Sequence, residues 1–221
     1  NYATELEYKR IIIKDQLKRV ARIDEDLPVI ETIYEERYGY RSHTRFNSDN
    51  NIKGFFKKGS NQIIEFPSKG CLLLSDEISG KIKDYKTKSV KTEVKAASDC
   101  NGVIHFCENN SSAEIIEYEQ GIYFHRDIYG FFQANRYLRD KMIQEVINLS
   151  SIETKNTFLD ICSGCGFFTL PLALKTDRGY GFDIDSRSIS YAKKNAGINR
   201  SESIIATITP NAVKSPKYLM G

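Results

Sequence analysis

The chain has 221 residues, 40% hydrophobic and 28% charged, with a net charge of +3 and a pI near 8.5. That length holds one large domain or two small ones, and the composition is that of an ordinary soluble protein. No apolar run approaches the roughly 20 residues a membrane span needs, and the first ten residues show neither an apolar signal core nor a transit-peptide pattern. The charge permits nucleic-acid binding without arguing for it. Asn1 in place of an initiator methionine suggests a chain processed or cut from something longer. The cysteines, Cys71, Cys100, Cys107, Cys162 and Cys165, are odd in number and follow no secretory signal, so free thiols in a reducing, cytoplasmic setting are expected.

Residues 5–20 have a helical pattern, with Leu6, Ile13, Leu17 and Val20 on one face and basic residues opposite. The basic face reads as the solvated side of a packing helix or as an RNA contact. Residues 24–28, Asp-Glu-Asp-Leu-Pro, end it. From 29 to 66 the pattern changes to short strands: 38–46 alternate bulky and polar residues, 47–51 form a turn cluster, 52–57 resume, and 62–66 complete a meander. Arg41, His43 and Arg45 share one strand face by parity, and Lys53, Lys57 and Lys58 extend it. A basic strand face among aromatics suits a phosphate backbone. It also suits a plain exposed sheet face.

Residues 72–88 are expected to be helical and 86–99 a polar loop. Residues 102–107 and 113–118 read as a strand pair, with His105 structural and His125 similar, since no metal-ligand spacing accompanies either. A helix is expected over 136–149, with Leu138, Met142, Val146 and Leu149 on one side.

The stretch 156–173 then combines a short β-rich run, the turn Ser163-Gly164-Cys165-Gly166 and an apolar helix start at 167–174. A strand, a glycine turn and a helix aim free backbone N–H groups at a ligand. A second strand, 179–184, carries Asp183 about 20 residues past the turn, where nucleotide-binding α/β folds hold ribose hydroxyls. A helix over 186–199 and a third strand over 203–208 follow, then a polar tail after Pro210. Asp160, Gly164 and Gly166 form an acid, three residues and Gly-x-Gly at a strand end. This suits S-adenosyl-L-methionine: the glycines let the chain pass under its amino-acid end, and Asp183 accepts from the ribose. The competing reading is a thiol–disulfide oxidoreductase using Cys162 and Cys165, whose first thiol would be acidified at a helix N-terminus.

Taken together, Phe132-Gln-x-Asn135, Leu159-Asp-x-x-x-Gly-x-Gly-x-Phe-Thr-Leu-Pro-Leu-Ala173, Gly181-Phe-Asp183 and Asn195-Ala-x-x-Asn199 resemble the RNA (uracil-5-)-methyltransferases. The Tyr40-Arg41 to Arg45-Phe46 strand and residues 52–71 resemble that family's central RNA-binding region, and the first helix resembles the segment after its iron–sulfur cysteine cluster. The resemblance implies an α/β fold: a β-rich central RNA-binding region, then the N-terminal half of a Rossmann-like class I methyltransferase domain. It divides the chain into 1–124, the first helix plus the RNA-binding region, and 125–221, the partial cofactor-binding domain. It implies S-adenosyl-L-methionine-dependent methylation of uridine C5, in ribosomal rather than transfer RNA. Gln133 would contact the methionine end of the cofactor; Asp160, Gly164, Gly166 and Phe167 would line its pocket; Asp183 would hold the ribose. Arg41, Arg45, Lys53 and Lys57 would meet RNA. Two positions depart from the family pattern: Cys162 replaces an aromatic and Phe167 an asparagine.

Cys71 falls where one group of the family, the one acting on ribosomal RNA, places the last of four iron–sulfur ligands; Cys100 and Cys107 do not match the others. One thiolate cannot hold a four-thiolate cluster, so none is expected in this chain. The family's nucleophile is a cysteine thiolate that adds to C6 of a flipped-out uracil, with a glutamate as the later base. That cysteine follows an Asp-Pro-Pro-type motif, which is absent here, and no cysteine follows Cys165. The expectation is therefore a chain truncated at both ends that binds rather than catalyses, or a non-catalytic RNA-binding or cofactor-binding remnant. Ending after three strands would leave residues 158–161 at an open apolar sheet edge.

Overall fold

A computed structural model describes residues 1–23, 27, 29–109, 111–199 and the backbone of 205–208. The chain forms two compact units, Asn1–Arg37 and Tyr38–Gly221. In the first, helix α1 spans Tyr2–Arg19; the Asn1 side chain accepts the Ala3 N–H, and Lys18 and Arg19 lie in the last turn. The expected apolar stripe is only partly buried: Leu6 is buried and Leu17 half-buried, but Ile13 is 47% and Val20 73% exposed. The reason lies in Ile11, Ile12 and Ile13, which at 100° per residue spread apolar surface around the helix instead of along one line. Arg10 Nε donates to Thr32 Oγ1 at 2.8 Å, and Tyr2 meets Tyr34 edge-on. Of the expected helix-ending residues 24–28, all but Leu27 lie outside the described residues.

The second unit begins with a five-stranded antiparallel sheet in the order β3-β2-β1-β4-β5. Its strands are β1 (His43–Asp49), β2 (Ile52–Phe56), β3 (Ile63–Glu65), β4 (Lys91–Ser98) and β5 (Ile104–Glu108), with helix α2 (Asp76–Asp84) between β3 and β4. β1 runs three residues further than the turn cluster suggested. The turn needs only Asn50 and Asn51, both at positive φ, which matches the twist of the hairpin. At Gly54 the neighbouring strand passes so close that a Cβ would sit 1.8 Å from the Ile64 carbonyl oxygen. β4 corrects the expected loop over 86–99. Its outward positions, Lys91, Glu93 and Lys95, make the segment look polar, while Thr92, Val94 and Ala96 face inward and are buried. Helix α2 is correspondingly shorter than the expected 72–88, starting at the Ser75 N-cap. It closes one sheet face over Phe46, Leu74, Ile78, Ile82, Val94 and Ala96.

The strand pairing differs from expectation at the next step as well. β5 pairs with β4, and β6 (Glu114–Glu119) pairs with β7 (Ile122–Asp127) through a Gln120–Gly121 turn with both φ positive. β7 continues across residues 124 and 125. Helix α3 (Arg139–Ser150), β8 (Thr157–Ile161), α4 (Thr169–Ala173), β9 (Arg178–Phe182), α5 (Ser186–Ile198) and β10 (Ile205–Ile208) follow, with a parallel sheet in the order β10-β9-β8. Among the described residues β8 is an edge strand, as expected, and Leu159 and Ile161 on it are 46% and 69% exposed. The side of α3 that packs is Met142, Ile143 and Ile147, while Leu149 is 82% exposed. Residues 203–204 and the tail after Pro210 lie outside the described residues.

The hairpin is joined to α5 by side chains acting as a strand edge. Asn195 accepts from His125 N–H at 2.7 Å and donates to its carbonyl at 2.9 Å; Asn199 does the same for Tyr123 at 3.0 and 2.7 Å. The core beneath is Ile122, Phe124, Phe132, Ile143, Cys165, Phe167, Leu170 and Ala196. The whole is a mixed α/β fold: a β-rich central region followed by a Rossmann-like part with a parallel sheet. Among the described residues no helix is long and apolar enough to cross a membrane.

Candidate cofactor site

β8 delivers the chain into the glycine turn. Gly164 and Gly166 adopt φ +57° and +97°, conformations that side-chain-bearing residues rarely hold. A Cβ on Gly164 would meet nothing within 4 Å, so open space lies directly over that peptide. From the end of β9, Asp183 reaches back to the same turn: its Oδ2 accepts the Gly164 N–H at 2.7 Å and its Oδ1 the Asp185 N–H at 2.8 Å. Asp160, from β8, accepts the Thr169 hydroxyl at 2.6 Å. Burial raises the Asp160 pKa, and the charge of Asp183 raises it further, so the two carboxylates sense each other. Among the described residues neither is paired with a lysine or arginine. The Ser163 hydroxyl is buried beside them without a hydrogen-bond partner.

Gln133, half-buried, follows Phe132 in the loop before α3, and its backbone carbonyl accepts from Arg139 Nε at 2.7 Å. Arg139 is 3% exposed and also donates to Glu117 Oε2 at 2.8 Å, Glu119 Oε1 at 3.0 Å and Ser42 Oγ. Glu117 is held from its other side by Arg126 at 2.8 Å, and the two guanidiniums lie over the Phe132 ring, at 4.7 Å for Arg139 and 5.3 Å for Arg126. Sequence reasoning missed this network. Buried arginines look like surface ones in a sequence, and the only signal was the concentration of charge at 117, 119, 126 and 139. Phe167 is placed in the aromatic core, its ring 5.2 Å from Phe132 and 4.8 Å from Phe168. It is buried, with 7% exposed.

Of the two cysteines here, Cys165 is buried, its thiol pushed up to about 12 by burial, while Cys162 is exposed at φ +67°. Helix α4 starts only at Thr169, so Cys162 does not sit at a helix N-terminus. Cys71 is half-buried; among the described residues there is no group of three or more metal-ligating side chains.

The expected RNA-facing residues are distributed unevenly. Arg45 is exposed and 3.6 Å from Glu93; Lys57 is exposed in the β2–β3 turn. Arg41 is half-buried with its Nε unpartnered. Lys53 Nζ donates to the Ile82 and Lys83 carbonyls at 2.9 and 3.0 Å, capping the C-terminal end of α2.

No family model matches the sequence. An uncharacterized RNA methyltransferase of Leptospira interrogans is 26% identical over 219 residues, 90% of this chain and 52% of that protein. The 23S rRNA (uracil(1939)-C(5))-methyltransferase of Haemophilus influenzae is 30% identical over 92 residues, 42% of this chain and 21% of that protein. The chain spans about half the length of the Leptospira relative. In structure it is similar to the Pyrococcus abyssi tRNA (uracil-54, C5)-methyltransferase, solved in complex with S-adenosyl-L-homocysteine: TM-score 0.70 at 18% identity, covering 94% of this chain and 63% of that one. At that identity the likeness concerns the fold.

Proposed function

We propose that this chain belongs to the RNA (uracil-5-)-methyltransferase family and that the whole protein methylates C5 of a uridine in RNA with S-adenosyl-L-methionine as donor. The observation that carries the cofactor reading is the open turn at Gly164 flanked by two carboxylates without a cation. When bound, the cofactor supplies a methyl group on a sulfonium, and its positive charges are what Asp160 and Asp183 lack. Asp183 holds the turn through Gly164 and is set to accept from the ribose hydroxyls, while Gln133, fixed by Arg139, faces the methionine end. Gly164 and Gly166 let the backbone approach, Phe167 supports the turn from the core, and the 81% exposed Ile184 offers an apolar face beside the ribose acid.

Residues 1–124 serve as the first helix plus the RNA-binding region, with Arg41, Arg45, Lys53 and Lys57 on it, and residues 125–221 as the cofactor part. Ribosomal RNA is the favoured substrate, supported by the position of Cys71 and by the 23S rRNA enzyme among the relatives.

Titration calorimetry with S-adenosyl-L-homocysteine tests the site. Asp183→Ala should weaken binding roughly tenfold or more, the loss of charge-assisted hydrogen bonds. Equal affinity of variant and parent would sink the assignment.

A further inference from the structure

The segment before β1 runs antiparallel beside the loop that carries Gln133. Arg136 N–H donates to the Tyr40 carbonyl at 2.9 Å, Ser42 N–H to the Ala134 carbonyl at 3.1 Å, and Arg41 bridges Asn135. Arg41 and Ser42 therefore sit beside Asn135 and Ala134, the residues that follow Gln133 in the chain. Across the sheet, His43 faces Ala97 and Arg45 faces Lys95, so Lys95 lies diagonal to His43 on the same face. Lys95 Nζ sits 4.6 Å from the Tyr129 ring centre and 3.4 Å from the Tyr129 carbonyl oxygen, turned toward the same loop.

The charges here do not cancel. Arg41 and Lys95 form no ion pair among the described residues. The nearby acids are engaged elsewhere: Glu93 with Arg45, Asp127 with Arg187 at 3.3 Å, and Glu117 and Glu119 with Arg126 and Arg139. Arg41 Nε and His43 Nδ1 are buried without partners. His43 stays neutral, its pKa lowered to about 3 by burial first and then by Arg126, Arg139, Lys95 and Arg41. Buried donors and uncompensated cations of this kind cost free energy that a bound anion recovers.

We propose that Arg41, His43 and Lys95 form a phosphate site for one phosphodiester of the RNA, placed so that the attached nucleotide lies against Gln133 at the methyl-donor end of the cofactor site. This rests on the function proposed above for the identity of the anion. The geometry explains why His43, read from sequence as one of three outward residues, is half-buried beside the cofactor loop while Arg45 stays on the open face.

The test uses the 221-residue chain and a uridine-containing RNA hairpin, with affinity measured by fluorescence anisotropy across a salt series. Lys95→Met should weaken binding roughly tenfold and lower the slope of log K against log salt by about 0.7–0.9, one phosphate contact, with S-adenosyl-L-homocysteine affinity unchanged. The unmodified chain gives a second readout that needs no variant. Inorganic phosphate should shift the His43 ring resonances, and the RNA should shift them too and compete with phosphate. An unchanged salt slope in Lys95→Met, or His43 resonances that RNA leaves in place, overturns the phosphate site while cofactor binding still supports the function. Phosphate binding with which RNA does not compete overturns RNA as the source of the anion. Loss of both RNA and cofactor binding by the unmodified chain overturns the functional reading as well.

Discussion

Replacing Glu117 by leucine probes the network that fixes the cofactor loop. Glu117 is 3% exposed and accepts three hydrogen bonds, from Arg126 Nε at 3.2 Å, Arg126 Nη2 at 2.8 Å and Arg139 Nη1 at 2.8 Å. Its removal takes away the carboxylate paired with Arg126 and leaves Arg139 on Glu119 alone, and truncating one partner of such a buried pair costs about 3–5 kcal/mol. That is a large part of the 5–15 kcal/mol a domain typically has. With a urea dependence of about 2 kcal/mol per molar, the unfolding midpoint should fall by about 1.5–2.5 M. The thirteen tyrosines and absence of tryptophan make tyrosine fluorescence the natural probe. Below the new midpoint, cofactor affinity should also drop, because Arg139 loses one of the anchors that hold it against the Gln133 carbonyl. A midpoint shift under about 0.5 M would show that the network is not desolvated, and the reasoning about Gln133 would fail with it.

Gly164→Ala should cost only about 1–2 kcal/mol of stability, the strain of a left-handed alanine with no clash, yet markedly weaken S-adenosyl-L-homocysteine binding by filling the open space over the turn; a variant with unaltered affinity refutes that use of the space. Burial raises the Glu119 pKa to about 7, so the group stabilises the fold below its unfolded value near 4.5, and this contribution is lost as pH rises toward 7. Glu119→Gln should therefore remove a decline in stability between those values that the parent shows in urea unfolding at several pH values, and parallel profiles would contradict it. Lys53→Met should lower stability by about 0.3–1 kcal/mol through the exposed carbonyls of α2; a loss of RNA affinity without any loss of stability would instead place its ammonium on RNA.

The cofactor turn was legible because its signals are local. Glycines at 164 and 166 follow a β-rich run, and Asp183 closes a second one, so chain geometry alone brings the acid back to the turn. The same holds for α5, whose Asp185 cap and Asn195/Asn199 pair lie within one helix. β4 was misread because local composition hides a strand whose outward side is charged. Only the pairing of Thr92, Val94 and Ala96 with β1 and β5 reveals it. The β6–β7 hairpin was missed for a related reason: the preceding run of strands offered several partners, and register is set by burial across the sheet, not by any one segment.

By itself the sequence determined the order of elements in the methyltransferase-like part, the glycine turn and the acid that meets it, because each depends on backbone conformation and spacing along one short stretch. Tertiary structure alone decided which charges are buried. Arg126, Arg139 and Glu117 come together from a hairpin and a helix, His43 is drawn inward toward the arginines, and Lys53 is drawn onto a helix end. The physical reason is that a charged side chain is settled by its partners and its distance from water, and those come from residues far away in the chain.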